Sequence, residues 1–473
     1  MRHRLNWLLL CLLGTVGGCA VSLPQPQLAQ LVPKETVWQT PLPMATHLAE
    51  QQVWWQSWQD PVLNTLLNAA QQANPTLELA EARIREARAK AYATKAYLWP
   101  TVGATASGSR SQNTMIAPAQ PMNVGSVGLD ASWEIDLWGG VRTAEKNLLA
   151  NLSAKTIEWQ DARATVAAEV ANAYVALRAY QALAEIVAQD LKSRNQSLQL
   201  TQEKEQVGLA SPVDVALLDA SSADALAQWV ETQEGIGMAR QALVALTGWS
   251  AQQVNAQLEQ GAARLPQPVG FAIHAVPANV ITQRYDIRVA AENVNMAAAE
   301  VGISKVAQLP SLSLLGVISL GQQDVGSLSI NGNAWSFGPT LKLPIFNAGR
   351  LKSEEAAAVA RYDQALAAYQ QKVRFAVREV EQILLQLNGN QRRIAAMQRS
   401  VAGYQQQQDA SNAMWQAGSA SLLDLEVSRR FLLGSQVKQM ALQRDQLSLW
   451  IGLYKAVGGQ WPVDGIGDEV AAK

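Results

Sequence analysis

Two stretches of the chain alternate apolar and polar residues with a period of two. From Val127 to Leu137 the odd positions are Val127, Leu129, Ala131, Trp133, Ile135 and Leu137, whereas the even ones are Ser126, Gly128, Asp130, Ser132, Glu134 and Asp136. The second stretch sets Phe337, Leu341, Leu343 and Ile345 against Ser336, Gly338, Thr340 and Lys342. Each is preceded by a weaker alternation, which keeps Val102, Ala104 and Ala106, and then Leu312, Leu314, Ile318 and Leu320, on one face. Strands are therefore expected over about 98–110, 124–137, 309–322 and 334–346, with surface loops at about 111–123 and 323–333. Segments of roughly ten residues that alternate in this way fit transmembrane β-strands.

The rest of the pattern is helical. Neither glycine nor proline occurs between Gly140 and Gly208, a run of some 67 residues, which at about 1.5 Å per residue reaches on the order of 100 Å. A run from Arg350 to Ala417 is as long, also free of proline, and interrupted only by Gly389 and Gly403. Alanine mixed with Leu, Val, Ile, Gln and Glu gives helices that are small and partly apolar on several sides, as laterally packed coiled-coil walls require. Long helices are expected over about 140–207, 212–247, 350–417 and 422–457.

The chain repeats itself at a constant shift of 210 residues. Pro100 meets Pro310, Gly139 meets Gly349, Gly208 meets Gly418, Asp214 meets Asp424 and Gly248 meets Gly458. Upstream, Leu77, Ala80 and Ile84 meet Ile287, Ala290 and Val294 at helical spacing. The layout is a signal segment 1–18, an N-terminal segment 19–73, repeat one over 74–247, a connecting segment 248–280, repeat two over 281–457 and a tail 458–473. The fold class is mainly α with a small transmembrane β part: long helical hairpins forming an α-barrel, and four strands per chain.

Four strands cannot close, and an open sheet edge in hydrocarbon leaves backbone groups unpaired at several kcal/mol each. Two copies would supply eight strands and a filled interior; three would supply twelve strands and a lumen. Cyclic symmetry favours a homotrimer for a conduit. Trp99, Trp138 and Trp335 near strand ends suit an interfacial aromatic belt.

Each long helix ends in a similar turn. Gly208 and Gly418 suit left-handed C-terminal caps, Ser211 and Ser421 cap the next helix, Asp214 and Asp424 complete acidic capping boxes, and Pro212 takes the first helical position. Capping is the plain role of these aspartates. The sharper one is a carboxylate ring constricting a pore, held shut by ion pairs among Asp424, Glu426, Arg429 and Arg430.

Composition narrows the classes. With 48% hydrophobic residues, 16% charged and a net charge of -1, the chain is neither a disordered polyelectrolyte nor a basic nucleic-acid binder. Arg2, His3 and Arg4 followed by Leu8 to Leu13 read as an export signal, and Val16-Gly17-Gly18-Cys19 resembles a lipoprotein cleavage box with Cys19 as the acylated residue. Cys11 leaves with the signal, so no disulfide or cysteine-based metal site is expected. An enzyme would need convergent titratable groups. His47 and His274 lie in connecting segments without ligand spacing, Glu134 and Asp136 share the polar face of a strand, and no serine elbow or phosphate loop occurs. Neither an enzymatic activity nor a resident cofactor or metal is expected.

These residues together resemble the TolC-like outer membrane factors, and more closely their lipoprotein (NodT-type) branch. The resemblance is carried by the Cys19 box, Trp54-Trp55 with Asp60-Pro61-Val62-Leu63, Asn74-Pro75 with Ala82-Arg83-Ile84, Trp133 to Gly139, Leu343 to Arg350, and both glycine-to-aspartate turns. It implies a homotrimer with a twelve-stranded outer-membrane barrel, continued by a helical barrel across the periplasm of a Gram-negative bacterium. It further implies diacylglycerol and N-acyl lipid on Cys19, and a periplasmic adaptor (a membrane fusion protein) docked at the tips around Gly208, Ser211, Pro212, Gly418 and Ser421. An inner-membrane pump of the RND type would feed small molecules such as drugs into the duct. Asp214, Asp424, Glu426, Arg429 and Arg430 would bear on gating, although Leu425-Glu426-Val427 departs from the Ala-Gln-Arg common after this aspartate. A type I protein-secretion duct and a lipid-tethered periplasmic coiled coil are the alternatives.

Overall fold

A computed structural model describes residues 21–32, 38–41, 54–112, 121–260, 264–267, 277–325 and 327–459. Cys19, His47, His274 and the tail from 460 lie outside the described residues. After a 3-10 turn at Leu28–Leu31 the order is α1 (Trp54–Ser57), α2 (Pro61–Ala73), α3 (Pro75–Ala96), β1 (Thr101–Gln112), β2 (Pro121–Ile135), α4 (Gly140–Gln206), α5 (Pro212–Thr247) and α6 (Ala251–Glu259). There follow α7 (Pro277–Gln283), α8 (Tyr285–Val306), β3 (Ser311–Val325), β4 (Leu328–Lys342), α9 (Arg350–Gln416) and α10 (Leu422–Ala456).

The duplication is visible in backbone geometry. Among the described residues the glycines at positive φ fall into three pairs of equivalent positions: Gly139 and Gly349 (74° and 84°), Gly208 and Gly418 (77° and 73°), Gly248 and Gly458 (69° and 100°). Each pair marks a chain reversal or a helix end that an L-residue would strain. A further equivalence uses different chemistry. Asn74 donates from Nδ2 to the Leu246 carbonyl at 3.0 Å, and Arg284 donates from Nη1 to the Ala456 carbonyl at 2.7 Å. Both tie down an orphan carbonyl in the last turn of a long helix.

The described residues divide into two compact units, one drawn from 21–31, 82–157 and 288–371 and the other from 32–81, 158–287 and 372–459. The first carries the sheet, antiparallel in the order β1-β2-β3-β4. Its register places most of the large apolar positions on one face, with Leu315 and Val317 of β3 among the exceptions on the other. Ala104, Leu129, Ile318 and Trp335 form one row across the sheet, and Val102, Ala131, Gly316 and Phe337 another. The opposite face carries small polar rows, such as Thr105, Gly128, Ser319 and Ala334, or Ser107, Ser126, Gly321 and Gly332.

The apolar band runs from the Ile135–Leu312–Leu341 row to the Val127–Leu320 pair and gives way outward to Gln322, Asp324, Arg110 and Asn331. That is about 26 Å along the strands at ~3.3 Å per residue, the scale of the apolar band of an outer-membrane barrel. Its residues stand in the open: Leu129 is 53% exposed, Ile318 57%, Phe337 72% and Trp335 79%. Water is the wrong solvent for such a face, and lipid the right one. No helix among the described residues is long and apolar enough to cross a membrane.

The ladder departs from the expected boundaries at both ends. Residues 98–100 precede β1 rather than belonging to it, because the turns of α3 continue to Trp99, whose amide donates to the Ala96 carbonyl at 3.0 Å. At the other end the pairing of β3 with β4 continues to Val325↔Leu328 through most of the stretch expected as a loop. Backbone pairing holds Gln322 opposite Asn331 and Gly321 opposite Gly332, where side-chain hydrophobicity gives no strand signal.

The second unit has a tryptophan-rich core. The Trp54 ring stacks on Tyr454 at 5.2 Å and meets Trp58 edge-on at 5.3 Å, and Leu63, Leu66, Leu177, Leu243 and Ile451 are fully enclosed around them. Asp60 caps α2 by accepting from the amides of Val62 and Leu63 at 3.0 and 3.1 Å, and accepts from the Tyr174 hydroxyl at 2.6 Å. Burial and that carboxylate push the Tyr174 phenol well above its ordinary range.

Candidate functional site at the helical tips

Both tips are closed by the same device. After α4 the Gly208 amide donates to the Glu205 carbonyl at 2.9 Å and the Leu209 amide to the Lys204 carbonyl at 2.7 Å. After α9 the Gly418 amide donates to Trp415 at 3.0 Å and the Ser419 amide to Met414 at 2.8 Å. Each is a paired 5→2 and 6→1 closure around a left-handed glycine. The next helix then starts with a full capping box. The Ser211 hydroxyl accepts from the Asp214 amide at 3.2 Å while the Ser211 amide donates back to Asp214 Oδ2 at 3.1 Å. At Ser421 and Asp424 the corresponding distances are 3.1 and 3.2 Å.

Asp214 and Asp424 are thus engaged as caps. Pro212 stands at the start of α5, where its missing N–H costs nothing. Around them the tips expose Val207 (69%), Leu209 (77%), Val213 (76%), Met414 (54%) and Leu423 (60%). Ser421→Ala is expected to cost about 1 kcal/mol, with amide exchange accelerating in the first turn of α10 and not in its middle.

A few turns from the tips the structure gathers a buried charge network that joins three helices. Glu426 Oε1 accepts from Arg429 Nη1 at 2.8 Å, and Oε2 accepts from Arg194 Nη1 at 3.3 Å and from the Ser221 hydroxyl. Arg194 also donates from Nε to Asp190 at 2.7 Å, and Arg429 donates from Nη2 to the hydroxyls of Ser193 and Ser197 at 3.1 and 2.9 Å. The side chains of Glu426, Arg429 and Arg194 are 4%, 5% and 8% exposed. Two carboxylates balance two guanidiniums, so the cluster is neutral while it holds α4, α5 and α10 together.

Of the residues considered for gating, Glu426 and Arg429 meet each other here. Asp214 and Asp424 act in their own caps, and Arg430 is exposed with no ion pair among the described residues. Arg194, Asp190, Ser193, Ser197 and Ser221 were not anticipated from sequence. A signal was present, since Asp190, Ser193, Arg194 and Ser197 fall at i, i+3, i+4 and i+7 on one helical face. No group of three or more His, Cys, Asp or Glu able to hold a metal occurs among the described residues.

A duplicated helical chain with long hairpins and a lipid-exposed four-stranded sheet defines an outer-membrane channel subunit. The chain belongs to the outer membrane efflux protein family, whose model matches residues 66–249 and again 276–459. Both ends of the second match lie 210 residues beyond those of the first (66 to 276, 249 to 459).

The chain is similar to the pyoverdine export outer membrane protein OpmQ of Pseudomonas aeruginosa, at 28% identity over 87% of this chain and 88% of that one. It is also 28% identical to the toluene efflux pump outer membrane protein TtgC of Pseudomonas putida, over 94% of this chain and 93% of the relative. The solved structure of the outer-membrane channel OprN superposes with a TM-score of 0.79 at 24% identity, covering 94% of this chain and 99% of that one, and speaks for the fold. The protein is an outer-membrane efflux channel subunit, and the work of its family is transport.

Proposed function

We propose that this protein is the exit duct of a tripartite system that exports small molecules, and that it performs no chemistry of its own. Three copies close twelve strands into an outer-membrane barrel. The helical hairpins reach into the periplasm, where the tips meet an adaptor that links the duct to an inner-membrane pump of the RND type. Cys19, placed after Val16-Gly17-Gly18, carries the lipid that adds a second membrane attachment. The observation that carries this reading is the pair of tips: two turns of one geometry, each presenting unpaired apolar side chains from rigid caps. Such a surface suits docking of a helical partner by its apolar face. The buried network of Glu426, Arg429 and Arg194, with Asp214 and Asp424 at the adjoining caps, is the latch that keeps the helices together at rest.

Cargo is not written in the duct. The two relatives are named for a siderophore and a solvent, chemistries too different for one lumen to select, so choice of substrate belongs to the pump. The test is complementation of an efflux strain that lacks its own channel. The wild type should restore resistance, and Leu209→Asp with Leu423→Asp should lose it while outer-membrane level and oligomeric mass stay unchanged. Full resistance from the double variant would remove the tips from docking.

A further inference from the structure

The alternation of the sheet changes phase at its outer end. Through the apolar band the large side chains share the face of Leu129 and Ile318. Beyond Val127 and Leu320 come two glycine-rich rows: Ser107, Ser126, Gly321 and Gly332, then Gly108, Gly125, Gln322 and Asn331. Past them the apolar residues return on the other face. The row of Ser109, Val124, Gln323 and Ile330 and the row of Ser111, Met122, Val325 and Leu328 share the side of Thr105 and Ser319, which is the lumen side. Arg110, Asn123, Asp324 and Ser329 take the outward side.

Side-chain contacts agree with this register. Gln323 donates from Nε2 to Met122 Sδ at 3.0 Å on the inner face, and Gln322 donates from Nε2 to Asp324 Oδ1 at 3.2 Å on the outer one. In a single copy Leu328 is 59% and Ile330 54% exposed, while Met122, Val124 and Val325 are half-buried.

We infer that this inverted end is a hydrophobic seal for the outer mouth. The hairpin ends bend inward about the glycine-rich rows and pack Met122, Val124, Val325, Leu328 and Ile330 against the same faces of two further copies, closing the duct from outside when no cargo passes. The inference rests on the trimeric reading, which surrounds this face with copies of itself.

Solvent, hinge and dimensions support the seal. Outward of the lipid band both faces of the sheet meet water, so an apolar inner face gains only by burial. The surface that a threefold lumen sets against it is another copy of itself. The rows beneath it are thinly covered: an added Cβ on Gly108, Gly125 or Gly332 would meet nothing within 4 Å, and one on Gly321 only the Gly125 carbonyl at 3.6 Å. Glycine inside a strand weakens it and marks bends.

Twelve strands about 4.8 Å apart and tilted by about 40° set a backbone radius of about 12 Å. Hairpin ends about 10–13 Å long, leaning inward by about 30°, carry their tips across about half that radius, and the apolar side chains fill the rest. A constriction of this kind bars ions and hydrated solutes and yields to apolar or amphiphilic cargo.

A single cysteine per copy reads the closure. In an upright mouth the Ile330 positions of neighbouring copies stand about 20 Å apart at Cα, far beyond the ~7 Å a disulfide bridges. Oxidation of outer-membrane fractions with copper-phenanthroline should nevertheless convert Ile330→Cys to covalent dimer on a denaturing gel, up to two of every three chains. Ala334→Cys, on the same face but below the glycine-rich rows, should stay single. The unsubstituted protein, whose one cysteine after the export signal is Cys19, serves as the blank. A second readout uses Ala334→Cys in intact cells. A bulky polyethylene-glycol maleimide should label it slowly, and at least tenfold faster once Leu328→Asp and Ile330→Asp are added.

Uncrosslinked Ile330→Cys in a complex of trimeric mass, equal crosslinking of Ala334→Cys, or an unchanged labelling rate would each overturn the seal and leave the trimer standing. A monomeric mass would bring down the trimeric reading itself.

Discussion

Replacing Ile318 by arginine is expected to empty the outer membrane of assembled channel. Ile318 lies in the apolar band between Leu129 and Trp335 and is 57% exposed on the face assigned to lipid. An arginine near the bilayer midplane costs about 2–4 kcal/mol on the lipid face of a barrel. A threefold assembly places it there three times, for roughly 6–12 kcal/mol in all, comparable with the whole stability of a domain. Ser319 is the neighbour on the opposite face, in the row of Thr105, Gly128 and Ala334. Ser319→Arg should therefore assemble, because its side chain enters a wet lumen. Quantifying folded trimer in outer-membrane fractions separates the two variants. Equal assembly of both would mean that the sheet does not divide lipid from water.

The second large effect is expected at Glu426. Its carboxylate is the one acceptor shared by Arg194, Arg429 and Ser221. Glu426→Ala leaves two guanidiniums enclosed with half their counter-charge, and breaking a buried pair in this way costs about 3–5 kcal/mol. At ~1.4 kcal/mol per factor of ten, amide exchange around 190–197 and 426–429 should accelerate by two orders of magnitude or more. Glu426→Gln, which retains an acceptor but not the charge, should fall between. If the network is also the latch, the alanine variant should conduct more than wild type in planar bilayers at the same applied voltage. Faster exchange with unchanged conductance would make the network structural only.

Why these two sites differed in legibility is a matter of sequence distance. The lipid face could be read because alternation is local: parity along Val127 to Leu137 and along Leu312 to Leu320 already groups the residues that the register later joins. The tips could be read because a glycine, a serine and an aspartate three residues further on are a capping signal within one turn.

The charge network could not be read in the same way. Glu426 meets Arg194 across 232 residues, and nothing near Glu426 in the chain says which helix it will face. The paired carbonyl ties were hidden for another reason. Asn74 and Arg284 do one job with different side chains, so the 210-residue shift aligns their positions without matching their identities.

Strand ends were the least legible. Trp99 is held by the last turns of a helix, and the polar pairs Gln322↔Asn331 and Asp324↔Ser329 extend a ladder whose side chains carry no strand pattern.

The central claim is that one chain holds a third of a closed barrel, and mass tests it most directly. Light scattering of the mature, detergent-purified protein, corrected for bound detergent, should give three times the mass of the single chain and hold that value across detergents. A monomer stable in every detergent would leave β1 and β4 with unpaired edges in lipid and contradict the channel as described.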